Sequence, residues 1–162
     1  YMFEHACRWY RIHLERGGSP VSLAVNVSKA GLFQNDFVDF YTDIKDKYSV
    51  PDGVLELEFT ESILAADTEL FAELVVNLNA RGFICSLDDF GSGYSSLNLL
   101  KNLPIDVLKL DILFFHKSWD IRRERIVVSN VINMARELNI KTIAEGVEDM
   151  DTVEFLRKAA AM

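Results

Sequence analysis

The residues with the clearest chemical potential are two adjacent carboxylates, Asp88 and Asp89, which follow a largely apolar run over residues 83–87. Glycines at positions 91 and 93 come directly after them. Burying a carboxylate is costly unless a cation neutralises it, so an acidic pair at the mouth of a buried strand indicates a metal site. The same residues would also suit a turn that caps the next helix, and at this point both interpretations stand.

Four further segments place a polar side chain where a short apolar run ends, and these side chains are Asn26, Glu58, Lys109 and Glu145. Because side chains alternate along a strand, the polar residues can all point into a barrel and meet Asp88 at its carboxyl-end mouth. An oxygen-rich set of this kind suits Mg²⁺ or Mn²⁺. The histidines and cysteines show no spacing typical of a zinc site.

Each of these residues also has an ordinary structural alternative. Lys109 could extend from the strand end into solvent, and Asn26 could simply hydrogen-bond there. Glu61 and Glu148 could cap helices. The recurrence of the same pattern on five successive units favours a common site.

Alternating apolar segments predict the elements that must position these side chains. We expect strands at 22–27, 54–59, 83–88, 107–110 and 141–144, and helices at 4–16, 36–48, between Asp67 and Gly82, and at 95–101, 122–139 and 151–158. The predicted apolar stripes are Leu70, Phe71, Leu74, Val75 and Leu78 on the third helix and Val127, Val131, Met134 and Leu138 on the fifth. Strands that alternate with helices predict an α/β fold with a parallel sheet. Five units of about 32 residues amount to about five-eighths of a TIM-barrel-like (β/α) architecture, an incomplete barrel.

Composition sets the class of protein. A chain of 162 residues with 49% hydrophobic residues predicts a single domain over 1–162, and a net charge of −8 argues against long nucleic acid or an anionic membrane as a partner. Cys7 and Cys85 lack metal-ligand spacing, which favours reduced core residues in a cytoplasmic protein. No apolar run has the length of a membrane segment.

The chain resembles the EAL domain, a bacterial phosphodiesterase module that acts on cyclic di-GMP. The resemblance rests on Asn26-Val27-Ser28, Glu58-Phe59-Thr60-Glu61, the segment 88–96, Lys109-Leu110-Asp111 and Ala144-Glu145-Gly146-Val147-Glu148, in that order. It implies a modified TIM barrel whose site holds two Mg²⁺ or Mn²⁺ ions.

The resemblance also implies roles for individual residues. Asn26, Glu58 and Asp88 resemble ligands of one ion, with Asp88 or Asp89 reaching the second. Lys109 resembles the residue that contacts the attacking water.

On the same basis, Glu145 resembles a ligand or general base, with Glu148 nearby. Glu61 resembles the glutamate that anchors a loop over 89–95, which contains Gly91 and Ser92 and is associated with dimerisation.

The implied reaction is metal-dependent hydrolysis of cyclic di-GMP to linear pGpG in bacterial signalling, by a homodimer whose parent could carry a cyclase or sensor domain. One alternative is a catalytically inactive cyclic di-GMP receptor or dimerisation module. Another, which sets the resemblance aside, is an open five-stranded phosphoacceptor receiver.

The pattern departs from the family at both ends. The glutamate of the Glu-Ala-Leu signature, with its nearby arginine, is expected before Tyr1, and a late glutamine after Met162. We therefore expect a barrel that lacks its first two strands and its last, a parent protein on the cytoplasmic side of the membrane if it is anchored, and little activity from these 162 residues alone.

Overall fold

A computed structural model describes residues 2–29, 31, 32, 34, 36–64, 67–90, 100–111 and 120–161. Its strands are β1 (Leu23–Asn26), β2 (Leu55–Thr60), β3 (Ile84–Phe90), β4 (Val107–Leu110) and β5 (Lys141–Ala144). The helices in these ranges are α1 (Met2–Glu15), α2 (Phe37–Lys47), α3 (Glu61–Leu64), α4 (Thr68–Ala80), α5 (Ile121–Glu137) and α6 (Met150–Ala161). The α/β class and the five predicted strands are confirmed.

The five strands form one parallel sheet in which spatial order follows chain order, β1-β2-β3-β4-β5. Successive βα units placed side by side in this way are the arrangement of a TIM-barrel wall. A doubly wound sheet of the receiver type instead reverses its strand order near the middle. The observed order therefore removes the phosphoacceptor alternative.

The two faces of β2 show how the sheet divides the molecule. Leu55, Leu57 and Phe59 are fully buried on the face that the helices cover, and Phe59 meets Phe71 of α4 edge to face with 5.1 Å between ring centroids. Glu56 and Glu58 alternate with them and lie on the opposite face. This is the division that the sequence pattern predicts.

The helices confirm part of the predicted apolar stripes and correct the rest. On α5 the buried residues are Val128, Val131, Ile132 and Ala135, whereas Val127 is 53% and Leu138 41% exposed. On α4 Leu70 is likewise half exposed. Both helices carry more apolar residues than one face can bury, so spacing alone fits two neighbouring stripes, and packing selects one of them.

Several element ends also differ from the prediction. Strand β3 continues two residues beyond residue 88, and the short helix α3 directly follows β2. Most of the predicted helix at 95–101 lies outside the described residues. Asp67 caps α4 as predicted, accepting hydrogen bonds from the backbone N–H groups of Glu69 and Leu70 at 3.1 and 3.0 Å, while the equivalent cap of α5 by Asp120 was not predicted.

Helices α1, α2, α4 and α5 end in the same double hydrogen-bonded turn. In α2 the Val50 N–H donates to the Lys45 carbonyl at 3.0 Å and the Ser49 N–H to the Asp46 carbonyl at 2.9 Å. The residue after each C-cap has a positive φ, and these residues are Gly17, Ser49, Gly82 and Asn139. This geometry satisfies the last carbonyls of the helix and favours glycine at the left-handed position.

The core contains both cysteines as free, buried thiols, as predicted. Burial raises the pKa of Cys7 to about 11. Across the described ranges, none of the helices combines the length and apolar character that crossing a bilayer requires.

Candidate functional site at the carboxyl ends of the strands

The sheet register places the predicted polar residues in adjoining rows at its carboxyl end. Asn26 of β1 pairs with Glu58 of β2, and Thr60 of β2 pairs with Asp88 of β3. Asn26 is exposed and Asp88 half-buried, while Glu58 is only 6% exposed. Parallel strands in register bring their carboxyl ends to one edge, so these side chains share one mouth.

A β-bulge between β3 and β4 brings the adjacent carboxylates to the same place. Leu87 pairs with Leu108 and Phe90 with Leu110. Asp88 and Asp89 of β3 therefore lie opposite a single residue of β4, Lys109. Asp89 has a φ of +58° and its N–H donates to Oδ1 of Asp88 at 2.9 Å. A regular strand would direct Asp89 to the helix side, so the bulge makes the second carboxylate available at the mouth.

Lys109 occupies the centre of this mouth on β4 and is only 8% exposed. Its ammonium pairs with Oε1 of Glu58 and lies 2.9 Å from Oε1 of Glu145. Burial alone would lower the pKa of Lys109, but hydrogen bonds and charge attraction from the two glutamates outweigh it and raise that pKa. The alternative of a lysine that extends into solvent is therefore wrong.

Glu145 follows β5, where its N–H donates to the Leu110 carbonyl at 2.9 Å and continues the pairing of β4 with β5. Its side chain is 46% exposed, in contrast to the buried Glu58. Gly146, with a φ of +67°, turns the chain away immediately afterwards. Glu148 is exposed, and Asp149 rather than Glu148 caps α6 by accepting from the Thr152 N–H at 2.7 Å.

The mouth carries a concentrated negative charge. Partial burial and then repulsion from Asp88, Asp111, Glu145 and Glu61 raise the pKa of Asp89. Glu61 is half-buried and begins α3 next to the mouth. A divalent cation at the mouth would offset the repulsion that these neighbouring carboxylates exert on Asp89.

Two residues near the site were given no role from the sequence. Asp111 lies two positions after Lys109. This two-residue spacing, typical of one face of a strand, could have indicated that Asp111 belongs to the site. Glu56 lies on the same face as Glu58, one layer deeper, and its Oε1 is buried without a hydrogen-bond partner among the described residues. Gly91 and Ser92, which were predicted for the loop, lie outside the described residues.

The donor set fits a hard divalent cation in its chemistry, since it consists of carboxylates and one amide at a single mouth. In the described part of the chain, no three His, Cys, Asp or Glu side chains converge closely enough to hold an ion. The side chains of Glu58 and Glu145 instead converge on the Lys109 ammonium.

Comparison with known proteins places this arrangement in a family. A family model described as "EAL domain" matches residues 1–161. The chain belongs to the EAL domain family. The fold of the EAL domains with known structures is TIM-barrel-like, and the five-stranded sheet is the corresponding part of that fold.

Two EAL domain structures illustrate the similarity. The EAL domain of Mycobacterium smegmatis DcpA is 32% identical and superposes with a TM-score of 0.87 over 96% of this chain and 70% of that one. The MucR phosphodiesterase in complex with cyclic di-GMP is 35% identical, with a TM-score of 0.84 over 97% of this chain and 64% of that one.

Among curated EAL proteins, the bifunctional diguanylate cyclase/cyclic di-GMP phosphodiesterase MucR of Pseudomonas aeruginosa is 35% identical over 158 residues. The cyclic di-GMP phosphodiesterase NbdA of the same organism is 35% identical over 159 residues. The alignments cover 98% of this chain but only 23% of MucR and 20% of NbdA. The chain thus spans about a fifth to a quarter of the length of these relatives.

Proposed function

We propose that this chain carries the metal-dependent site of a phosphodiesterase that hydrolyses cyclic di-GMP to linear pGpG. The observation that carries the proposal is the buried Lys109 ammonium between Glu58 and Glu145, beside Asp88 and Asp89, at the carboxyl ends of the strands. The MucR phosphodiesterase, which is 35% identical, has been solved with cyclic di-GMP.

The proposed ion-holding residues are the oxygen donors of the mouth. Asn26, Glu58 and Asp88 would hold one ion, Asp88 or Asp89 would reach the second, and Glu145 would serve as a further ligand or as general base. Two Mg²⁺ or Mn²⁺ ions would supply an activated water and neutralise charge at the phosphate and the leaving 3′ oxygen.

The remaining residues would orient the reaction. The Lys109 ammonium would donate a hydrogen bond to the attacking water, because it is the cation among the carboxylates at the mouth. Glu145, almost half exposed, can accept a proton and release it to solvent. Glu61 would hold the loop that contains Gly91 and Ser92, and Glu148 would lie at the edge of the substrate site.

The known activities of the relatives, as their names give them, support further parts of the proposal. MucR is named as both cyclase and phosphodiesterase, so we propose that the parent protein joins this chain to further signalling domains. We also propose a homodimer in which the 89–95 loop connects the subunit contact to the metal site.

The test is Asp88→Asn in a complete EAL domain that contains this chain. We expect the loss of a ligand to abolish turnover of cyclic di-GMP to pGpG in Mg²⁺ or Mn²⁺. Turnover is measured by separating the two nucleotides. Asp39→Asn on the exposed surface of α2 is the matched control and should hydrolyse at the unchanged rate. An Asp88→Asn variant as active as the unchanged protein would refute the assignment.

A receptor that binds cyclic di-GMP without cleaving it is the second candidate. It is favoured by the absence, within the described ranges, of three ligating side chains already placed around one point. Calorimetry that shows tight binding of cyclic di-GMP with Mn²⁺ present, and no product over hours, would establish the receptor instead of the enzyme.

A further inference from the structure

The ion pair at the mouth has a consequence for how the site takes up metal. Lys109 is a fixed positive charge inside the group of carboxylates proposed to hold the ions. Its side chain is 10% exposed and that of Glu58 is 8% exposed, so water screens the pair poorly. The ammonium therefore already neutralises part of the charge that would attract a cation.

We propose that Lys109 is a built-in competitor of the divalent ion, which holds Glu58 and Glu145 together when metal is absent and lowers the affinity of the site for metal. This inference rests on the proposed function, because it concerns the same metal site. Lys109 acts here as a positioning residue, in addition to its proposed contact with the attacking water.

The geometry supports competition rather than coexistence. Lys109 uses Oε1 of Glu58 and Oε1 of Glu145, so an ion on these carboxylates would lie beside the ammonium and be repelled by it. Glu58 is buried on β2 and its position is fixed by pairing with both neighbouring strands. Glu145 is 46% exposed and has room to rotate. Metal uptake would thus separate the Lys109 ammonium from the two glutamates and free it for its proposed contact with the attacking water.

The chain offers a matched control for this experiment. Lys45 is also buried and pairs with a carboxylate, that of Asp52, but it lies on α2. Lys45→Met removes a buried ammonium without altering the charge at the mouth. Lys109→Met removes the buried ammonium within the mouth, and Lys109→Arg keeps the positive charge there.

The test uses a complete EAL domain that contains this chain, titrated with Mn²⁺ while free Mn²⁺ is measured by electron paramagnetic resonance. Lys109→Met should bind Mn²⁺ at least about tenfold more tightly than the unchanged protein, because one close charge pair exceeds the energy of a tenfold step. Lys45→Met should bind Mn²⁺ with unchanged affinity, and Lys109→Arg with unchanged or lower affinity. Equal or weaker binding by Lys109→Met would overturn the inference.

A second measurement covers the case in which Lys109→Met does not fold. In the unchanged protein, the ¹⁵N-labelled ammonium of Lys109, assigned by its loss in Lys109→Arg, should shift and lose protection from exchange as Mg²⁺ is added. An ammonium signal that is unaffected at saturating Mg²⁺ would overturn the inference.

The outcomes separate this inference from the proposed function. An unchanged protein that hydrolyses cyclic di-GMP in Mn²⁺, together with a Lys109→Met variant that binds Mn²⁺ no more tightly, would overturn only the competition. An unchanged protein and a Lys109→Met variant that both fail to bind Mn²⁺ would overturn both.

Discussion

Two buried lysines of this chain have opposite surroundings. Lys45 on α2 pairs with Asp52, whose side chain is 76% exposed, and its ammonium lies 5.9 Å from the Phe83 ring centroid. Asp52 precedes β2 and Phe83 precedes β3, so the Lys45–Asp52 pair lies at the amino ends of the strands. Lys109 lies near the carboxyl ends and pairs with two glutamates, one of them buried.

The difference separates a structural ion pair from a functional one. Around Lys45 one buried ammonium meets one solvated carboxylate, so the two charges balance and water stabilises the Asp52 carboxylate. Around Lys109 the carboxylates outnumber the ammonium, and partial burial together with repulsion from the neighbouring carboxylates raises the pKa of Asp89. An excess of negative charge around a buried ion pair is retained where a ligand cation will neutralise it.

The largest expected effect comes from exchanging the carboxylate partner of each lysine for its amide. Glu58→Gln removes a proposed ion ligand and should lower turnover of cyclic di-GMP at least about a hundredfold. Asp52→Asn should leave turnover unchanged, because Asp52 is solvated at the amino end of the sheet. Steady-state rates of pGpG release in a complete domain measure the effect of both substitutions. Equal effects would contradict the distinction between a structural and a functional ion pair.

Removal of each ammonium should sharpen the comparison in stability. Without metal, Lys109→Met leaves Glu58 buried and unpaired and should lower the free energy of unfolding by about 3 kcal/mol. Lys45→Met leaves Asp52 in water and should cost less than about 1 kcal/mol, since methionine keeps most of the apolar contact. Urea unfolding in the presence of a chelator measures both.

Added Mn²⁺ provides the control for that measurement. It should restore much of the stability of Lys109→Met and little of the stability of Lys45→Met, because only the mouth gains a cation. A similar response of the two variants to Mn²⁺ would contradict a metal site around Lys109.

The smallest effect concerns two residues with left-handed backbone conformation, one at each end of the sheet. Ser49 ends α2 with a φ of 51°, near Lys45, and Ser49→Gly should stabilise the fold by up to about 1 kcal/mol with unchanged Mn²⁺ affinity. Asp89 has a φ of 58°, and Asp89→Gly should relieve similar strain while weakening Mn²⁺ binding. Thermal unfolding and Mn²⁺ titration together measure this contrast, and an Asp89→Gly variant that binds Mn²⁺ normally would remove Asp89 from the ligand set.

The sequence was sufficient for the strands and for the faces that they present. Strands β4 and β5 have the predicted bounds, because each is a short segment of strand-forming residues between turn residues. The burial stripe of α5 was not predictable in the same way. Apolar residues lie on two neighbouring faces of that helix, and only contact with the sheet and α6 selects the face of Val128 and Ile132.

The site was predictable in its residue types and incompletely in its contacts. Polar residues at strand ends identified Glu58, Lys109 and Glu145, since parallel strands bring such positions to one edge. That Lys109 would bond both glutamates depends on the lateral order of the strands, and spacing along the chain does not determine that order. Asp111 was quoted within a motif but given no role, because its effect on Asp89 operates through space.

The bulge in β3 has a consequence for insertions and deletions. Deleting either Asp88 or Asp89 would leave a regular strand in which Leu87 and Phe90 still face the helices, because the bulge contributes one residue more than β4 opposes. Deleting Cys85 would instead turn Ile84 to the opposite face and disrupt the core. The second carboxylate of the pair can therefore be gained or lost as one inserted residue, without rebuilding the sheet that supports it.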